Sequence, residues 1–228
     1  MQPYFLPYIG YYQLINSVDQ FIVYDNIEFS KSGWFHRNRF LSNGEARMFS
    51  LPIKKASDYL FVNQRFLAEN SLKLRKKILN QIENAYRKAP NFSSVYPILE
   101  PLLLTNKTNL FDIIYDSINA TLNYLEINTP VKVSSQIHID HRLKGKDKIL
   151  AICNELKCEQ YINPIGGKAL YNKEYFEDNG VEISFIESNE IVYKQFKNDF
   201  VPWLSILDVM MFNSVETIHH YLNNYSLT

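Results

Sequence analysis

The chain opens on Gln2-Pro3-Tyr4-Phe5-Leu6-Pro7-Tyr8-Ile9-Gly10-Tyr11-Tyr12, and no other stretch constrains the fold as much. Pro3 and Pro7, four residues apart, cannot both sit inside a helix or a central strand, because each lacks a backbone N–H and fixes φ. Yet the block is too rich in aromatic side chains for a solvated loop. It predicts ordered, irregular backbone with polar tips, the kind of structure on which binding sites are built.

A short helix over 11–16 and a strand over 20–24 are expected next. Phe21-Ile22-Val23 is a continuous apolar run, the pattern of a strand covered on both faces. Further strands are expected at 28–29 and 47–53, and Ser42-Asn43-Gly44 between Arg39 and Ile53 is a turn signal, so this stretch reads as half of a hairpin. The middle of the chain is helical. Asn70-Ser71 can cap a helix running to Lys88 and stopped by Pro90. A second helix, over 93–104, contains Pro97 and Pro101, which should limit or kink it. A third, over 109–125, carries Leu110, Ile113, Ile114, Ile118, Leu122 and Leu125 at helical spacing. Beyond it, strands are expected at 131–134, at 161–162 and over 181–186, with helices over 146–156, after Asn172, from Pro202 and after the Ser214 cap. The fold class predicted is α/β: a mostly parallel, Rossmann-like sheet flanked by helices, in a domain of residues 1–66 and 128–228. A helical subdomain, 67–127, is inserted between the two parts.

Composition narrows the function. With 24 Lys and Arg against 24 Asp and Glu, the net charge is +0. That argues against a sequence-specific nucleic-acid partner or a membrane surface engaged through bulk charge. No apolar run approaches the ~20 residues that span a bilayer. No leader pattern is visible at the start, so the cytoplasm is the expected compartment. Cys153 and Cys158 fall on a helix with no histidine near them, a poor setting for zinc or for a disulfide. No resident metal or tightly bound cofactor is expected.

Four groups of residues carry chemistry. In Lys31-Ser32-Gly33-Trp34-Phe35-His36-Arg37-Asn38-Arg39, the two arginines can hold phosphate or carboxylate bidentately. Lys31 adds a point charge, Asn38 a donor and an acceptor, Trp34 a stacking face, and His36 a general base. The plainer reading is a surface turn with solvated charges. In Asn163-Pro164-Ile165-Gly166-Gly167-Lys168, a strand ending in two glycines suggests amides around an anion, with Lys168 reaching it. The alternative is a tight turn using glycine at positive φ. The segment is not a Walker loop, since the upstream glycine is missing and Ala169 follows the lysine. Asp140, His138 and His141 lack convincing metal-ligand spacing and read better as a charged loop. Asp208, among Ile206, Leu207, Val209 and Met210, either faces solvent or is buried with a partner, for which Arg37 and Arg39 are candidates.

Taken together, the opening block, Val23-Tyr24-Asp25, Gly33-Trp34 with Arg37-Asn38-Arg39, Gly166-Gly167, Tyr193-Lys194-Gln195 and Phe200-Val201-Pro202 with Leu204-Ser205-Ile206-Leu207-Asp208 resemble the WbqC-like protein family over nearly the whole chain. Relatives often have a short apolar strand before Gln-Pro, whereas here Met1 abuts the motif. The resemblance implies a role among bacterial O-antigen and surface-polysaccharide proteins. The activity it implies is transfer of an acyl or aminoacyl group, glycyl among them, to the amine of a nucleotide-linked amino sugar. Asp25 or His36 would then deprotonate the amine. Arg37, Arg39 and Lys168 would hold phosphates, with Lys31 adding charge, and Trp34 or Tyr4 would stack. Gln2 and Asn38 would stabilise the oxyanion, and Gly166, Gly167 and Gln195 would line the substrate. Pro3, Pro7, Gly10 and Asp208 would shape the site. The co-substrate would be an activated acyl donor, on acyl carrier protein, coenzyme A or aminoacyl-tRNA, with the carrier protein as a partner. Two other readings stand beside it: a non-catalytic sugar-nucleotide binding or scaffold protein, and a nucleotidylyltransferase-like enzyme. The last is weakened because the opening block has no histidine to steady a triphosphate.

Overall fold

The computed structural model describes residues 1–197 and 199–228. After the opening loop, helix α1 (Ile9–Asn16) leads into strand β1 (Phe21–Val23). A hairpin, β2 (Arg37–Ser42) and β3 (Glu45–Ser50), follows. Its register places Ser42 opposite Glu45, so Asn43 and Gly44 alone make the turn. Both have positive φ, 53° and 80°. That is the two-residue geometry whose twist matches the strands, and Asn-Gly adopts it at least cost.

Helices α2 (Ser71–Tyr86), α3 (Phe92–Leu104) and α4 (Leu110–Tyr124) form the middle. The prolines do not stop α3. Pro97 and Pro101 lie on its exposed side, away from buried Val95, Leu99, Leu102 and Leu103. Water can therefore take up the carbonyls that lose a helical partner. Strand β4 (Val131–Val133), helix α5 (Gly145–Glu155), strand β5 (Gln160–Pro164), helix α6 (Lys173–Glu177) and strand β6 (Glu182–Ser188) follow. The chain finishes with α7 (Ile206–Phe212), α8 (Val215–Leu222) and β7 (Tyr225–Leu227). Pro202 does not start α7. Ser205 caps it, accepting a hydrogen bond from the Leu207 N–H.

The class is α/β, as expected, and among the described residues the strands form three small sheets rather than one mostly parallel sheet. β1 pairs parallel with β4 over three residues, and β5 pairs parallel with β6 over five. β7 joins β6 antiparallel, and the hairpin stands apart. Glu28 and Phe29 contribute an isolated bridge, Glu28 to Phe61, and no strand. β1 and β5 do not pair with each other, so the two parallel pairs never join.

One buried core runs through α1, β1, the hairpin, α2 to α4, α7 and α8. A smaller one, of Ile149, Leu150, Cys153, Phe176, Val181, Ile183 and Phe185, holds α5 and α6 against β6. Among the described residues no helix is long and apolar enough to cross a membrane.

Candidate functional site

The opening loop is held from below by backbone and side-chain hydrogen bonds. Asn38 Nδ2 donates to the Leu6 carbonyl at 2.6 Å and to that of Phe5 at 3.3 Å. The Ser205 hydroxyl donates to the same Leu6 oxygen at 2.7 Å. The Phe5 N–H donates to the Phe35 carbonyl and the Ile206 N–H to that of Pro7. These bonds clamp Leu6 at φ 47°, which a leucine adopts only when its surroundings dictate it. Gly10 faces the ring of Tyr8 so closely that a Cβ there would lie 2.4 Å from it. The aromatic residues pack on one another: Tyr4 lies 5.9 Å from Phe35 and 6.0 Å from Tyr11, and Tyr8 6.0 Å from Trp203, by ring centroids. Tyr4 also donates a hydrogen bond to Gln2 Oε1 at 2.6 Å. Burial, then the neighbouring Tyr8, pushes its phenol up to about 12, so it stays protonated.

Above this loop sits the polar edge of β2. Arg37 and Arg39 alternate with buried Asn38 and Phe40, so both leave the same face. Each guanidinium carbon lies 5.5 Å from the centroid of the exposed Trp34 ring. Arg39 donates to the Trp203 carbonyl at 2.9 Å, and Arg37 donates to that of Ser32. Among the described residues neither arginine is paired with a carboxylate. Trp203 is 61% exposed, with φ 60°. A third guanidinium, Arg65, is buried below, 4.6 Å over the Phe29 ring, donating to the Ser57 carbonyl. His36 packs between these charges, 5.3 Å from Phe29, and its Nδ1 is buried without a partner. Burial, then Arg37 and Arg65, pulls its imidazole down to about 4, so it is neutral at pH 7. Lys31 is drawn aside by Asp58, 2.9 Å away at the surface.

Asp25, just past β1, lies elsewhere, where β1 and β4 end. Asn63 Nδ2 donates to its carboxylate at 2.7 Å, the Ser135 N–H at 2.9 Å and the Ser134 hydroxyl at 3.0 Å. Burial pushes the carboxyl up, but the hydrogen bonds from Ser135, Asn63 and Ser134 outweigh it and hold it below its ordinary value. The group is therefore a weak base that ties three segments together. Beside it, Lys148 donates to Asn26 Oδ1 at 3.2 Å.

Six further residues are placed differently from the sequence reading. Asp208 is fully buried, and its partners are Tyr86 (2.7 Å), Tyr193 (2.6 Å) and Gln195 (2.6 Å) rather than an arginine. Gln195 is thereby turned inward, and it also bonds the Val201 backbone in both directions. Asn38 is spent on the opening loop. Gly166, Gly167 and Lys168 lie in a 3₁₀ turn (Ile165–Leu170), and neither glycine has positive φ. A Cβ at Gly167 would instead lie 2.0 Å from the Asn163 amide nitrogen, so that side chain would have to move. Lys168 is exposed there, 5.9 Å from the Phe185 ring, on the smaller core and apart from the arginines.

The structure thus brings together Gln2, Tyr4, Trp34, His36, Arg37 and Arg39, and adds Tyr8, Arg65 and Trp203, which motif reading did not select. Trp203 carried a signal, an aromatic residue directly after Pro202 in Phe200-Val201-Pro202-Trp203. Arg65 carried none.

A mixed α/β protein with an aromatic, cationic surface beside a proline-braced loop is the class these features define. The chain belongs to the WbqC-like protein family, whose model matches residues 2–220. It is similar to the uncharacterized protein Rv1507c of Mycobacterium tuberculosis, 26% identical over 213 residues that cover 92% of this chain and 90% of that protein. No solved structure matches.

Proposed function

We propose that the surface of Trp34, Arg37, Arg39, Tyr8 and Trp203 binds the phosphates and a ring of a nucleotide-linked amino sugar. On this reading the chain is a transferase of surface-polysaccharide synthesis, joining an acyl or aminoacyl group, glycyl among the candidates, to the sugar amine. The observation that carries the binding half is a pair of guanidiniums on one indole that, among the described residues, pair with no carboxylate. Such a pair is matched in geometry to phosphate oxygens. Two exposed tryptophans beside it offer stacking faces, and one is held at a φ that costs energy, a condition that concentrates at ligand sites.

The chemistry asks little of a base. An unprotonated sugar amine attacks the carbonyl carbon of a thioester or aminoacyl ester. The C–N bond forms, the C–S or C–O bond breaks, and the amine proton leaves with the thiol or hydroxyl. Holding the two reactants in attack geometry is then the main contribution. His36, with its imidazole pulled down to about 4 and its Nδ1 buried, is a weak base too, so the sugar amine has to arrive already unprotonated. Asp25 is saturated with hydrogen bonds, and that same saturation favours the second reading, a sugar-nucleotide binding protein without turnover.

A thermal-shift screen against UDP-, dTDP- and GDP-sugars tests the binding half. A ligand at ~100 times its Kd adds ~2.7 kcal/mol of stability. Arg37→Ala and Arg39→Ala should each weaken the hit by about 10- to 100-fold, the worth of a charge-assisted hydrogen bond. A hit unaffected by either substitution places the ligand elsewhere. Mass-spectrometric detection of an acylated sugar with wild type, using coenzyme A, acyl carrier protein and aminoacyl-tRNA donors in turn, separates transfer from binding alone.

A further inference from the structure

Cys153 and Cys158 share one turn at the end of α5. A disulfide between helix positions five apart is geometrically poor, as expected from the sequence, but the helix stops at Glu155 and Cys158 stands beyond it. The Cys158 N–H donates to the Cys153 carbonyl at 2.8 Å, and the Lys157 N–H to that of Asn154 at 3.1 Å. Between these nested bonds Lys157 has φ 54°. This is the Schellman ending of a helix, in which the residue after the left-handed one folds back onto the last turn. Its usual side-chain contact joins those two positions, and here both are cysteines. The backbone thus places side by side two thiols that a continued helix would turn apart.

Their settings differ. Cys153 is buried in the smaller core with Ile149, Leu150 and Phe176, while Cys158 is half-buried. The Cys158 thiol donates to the Gln160 carbonyl at 2.8 Å, where β5 begins. The hydrogen bond between the two thiols favours charge on Cys158 and pulls it from 9.0 down to about 7. The same bond, then burial, pushes Cys153 up. A thiolate that solvent reaches, beside a buried thiol that keeps its proton, is the arrangement of an attacking and a resolving cysteine. The chain has 2 cysteines, so oxidation within one molecule has a single disulfide product.

We propose that Cys153 and Cys158 form a reversible dithiol–disulfide site, attacked by hydrogen peroxide at Cys158 and closed by Cys153. The Cys158 thiolate attacks one peroxide oxygen. The S–O bond forms, the O–O bond breaks, and hydroxide leaves and takes up a proton. The Cys153 sulfur, giving up its own proton, then attacks the Cys158 sulfur. The S–S bond forms, the S–O bond breaks, and a second water leaves. The two sulfurs lose the two electrons that the peroxide gains. A small dithiol reverses the step by exchange at the disulfide and is itself oxidised. The bond closes only a short loop, so it restrains the unfolded chain little. Closing it withdraws Cys158 from the Gln160 carbonyl, so the start of β5 loses that contact.

The test treats the whole reduced chain at pH 7 with a small excess of hydrogen peroxide, then blocks remaining thiols with iodoacetamide in denaturant. Mass spectrometry should find a monomer lighter by two hydrogens that takes up no label and regains both labels after dithiothreitol. On the native, unoxidised chain, the rate of Cys158 alkylation should rise with pH around a midpoint near 7, against roughly 8.5 for an ordinary thiol. Cys153→Ala should stop Cys158 at a sulfenic acid that dimedone captures, and Cys158→Ala should slow oxidation of the remaining thiol by ~10-fold or more. Thiols that stay free under peroxide, a sulfinic acid in place of the disulfide, a disulfide to a second copy, or a Cys158 midpoint at the ordinary value each overturn the proposal. Those readouts come from the unsubstituted chain, so a variant that fails to fold does not shelter it.

Discussion

At the scale of single residues, His36 illustrates how position changes chemistry. In sequence it is a histidine beside two arginines and reads as a general base. In the structure burial, Arg37 and Arg65 hold it neutral down to about pH 4, against an ordinary value of 6.5. A histidine whose pKa is depressed binds a proton more readily unfolded than folded, so unfolding is favoured as pH falls from 6.5 toward 4. Half-exposure screens the effect, which leaves a loss on the order of 1 kcal/mol rather than the full linkage value. Asp208, with its carboxyl raised by burial against the hydrogen bonds of Tyr193, Tyr86 and Gln195, acts in the opposite sense. Its contribution is present below the unfolded value near 3.8 and is lost as pH rises through the folded one. Asp25, lowered, loses its contribution only as pH falls through its folded value, below 3.8. Where the Asp208 range reaches above pH 5 it opposes His36, so the His36 part is read from the difference between wild type and a variant without it. Denaturant midpoints at pH 7 and pH 5 should fall for wild type and hold nearly level for His36→Phe, which keeps the ring against Phe29. Parallel losses in the two proteins would remove His36 from the account. Asp208 shows what sequence could not reveal. An aspartate among apolar helix residues signalled burial, but its partners Tyr86 and Tyr193 are 122 and 15 residues away, and nothing local names them.

At the scale of elements, local chemistry was most readable where it is self-sufficient. Asn43-Gly44 specified the hairpin turn, and the apolar spacing from Leu110 specified α4, because both depend on neighbours in sequence. The proline rule failed at α3 because its cost depends on whether solvent reaches the freed carbonyls, which is a tertiary fact. The turn after β5 was misread for a related reason: glycine there answers to the Asn163 side chain and not to a positive φ. The opening loop is the element on which the candidate site rests, and Gly10 tests it. Alanine at Gly10 puts a methyl 2.4 to 2.5 Å from the Tyr8 ring, whose far end can swing away. The expected outcome is a folded protein, destabilised by about 1 kcal/mol or less. Its Tyr8 ring should leave Trp203, shifting the Trp203 fluorescence in a Trp34→Phe background, and its affinity for the screened sugar nucleotide should drop several-fold. Unaltered fluorescence together with unaltered affinity would mean that the loop does not shape the binding surface.

Across the whole molecule, the α/β class and the family were legible because they follow from composition, alternation and a motif. The sheet order was not, since pairing between distant strands is written in no local pattern. What pairing produced is a structure with two unequal cores. The larger collects residues from Phe5 to Leu222 and includes the apolar residues of α4, whereas the smaller rests on seven buried residues of α5, α6, β6 and the turn before it. β6 and β5 serve both: Ile186 and the partly buried Ile162 belong to the larger, Ile183, Phe185 and the partly buried Tyr161 to the smaller. Stability per element scales with the apolar surface it buries, and regions with few such contacts open below the global free energy. The α5–β5–α6 segment rests on the small core, so it should open before the rest. Native-state hydrogen exchange in rising denaturant would show Leu150 and Cys153 merging into a sub-global opening at low denaturant, while Ile113, Ile114 and Ile118 exchange only through global unfolding. A single isotherm shared by both sets would show that the two cores open as one unit.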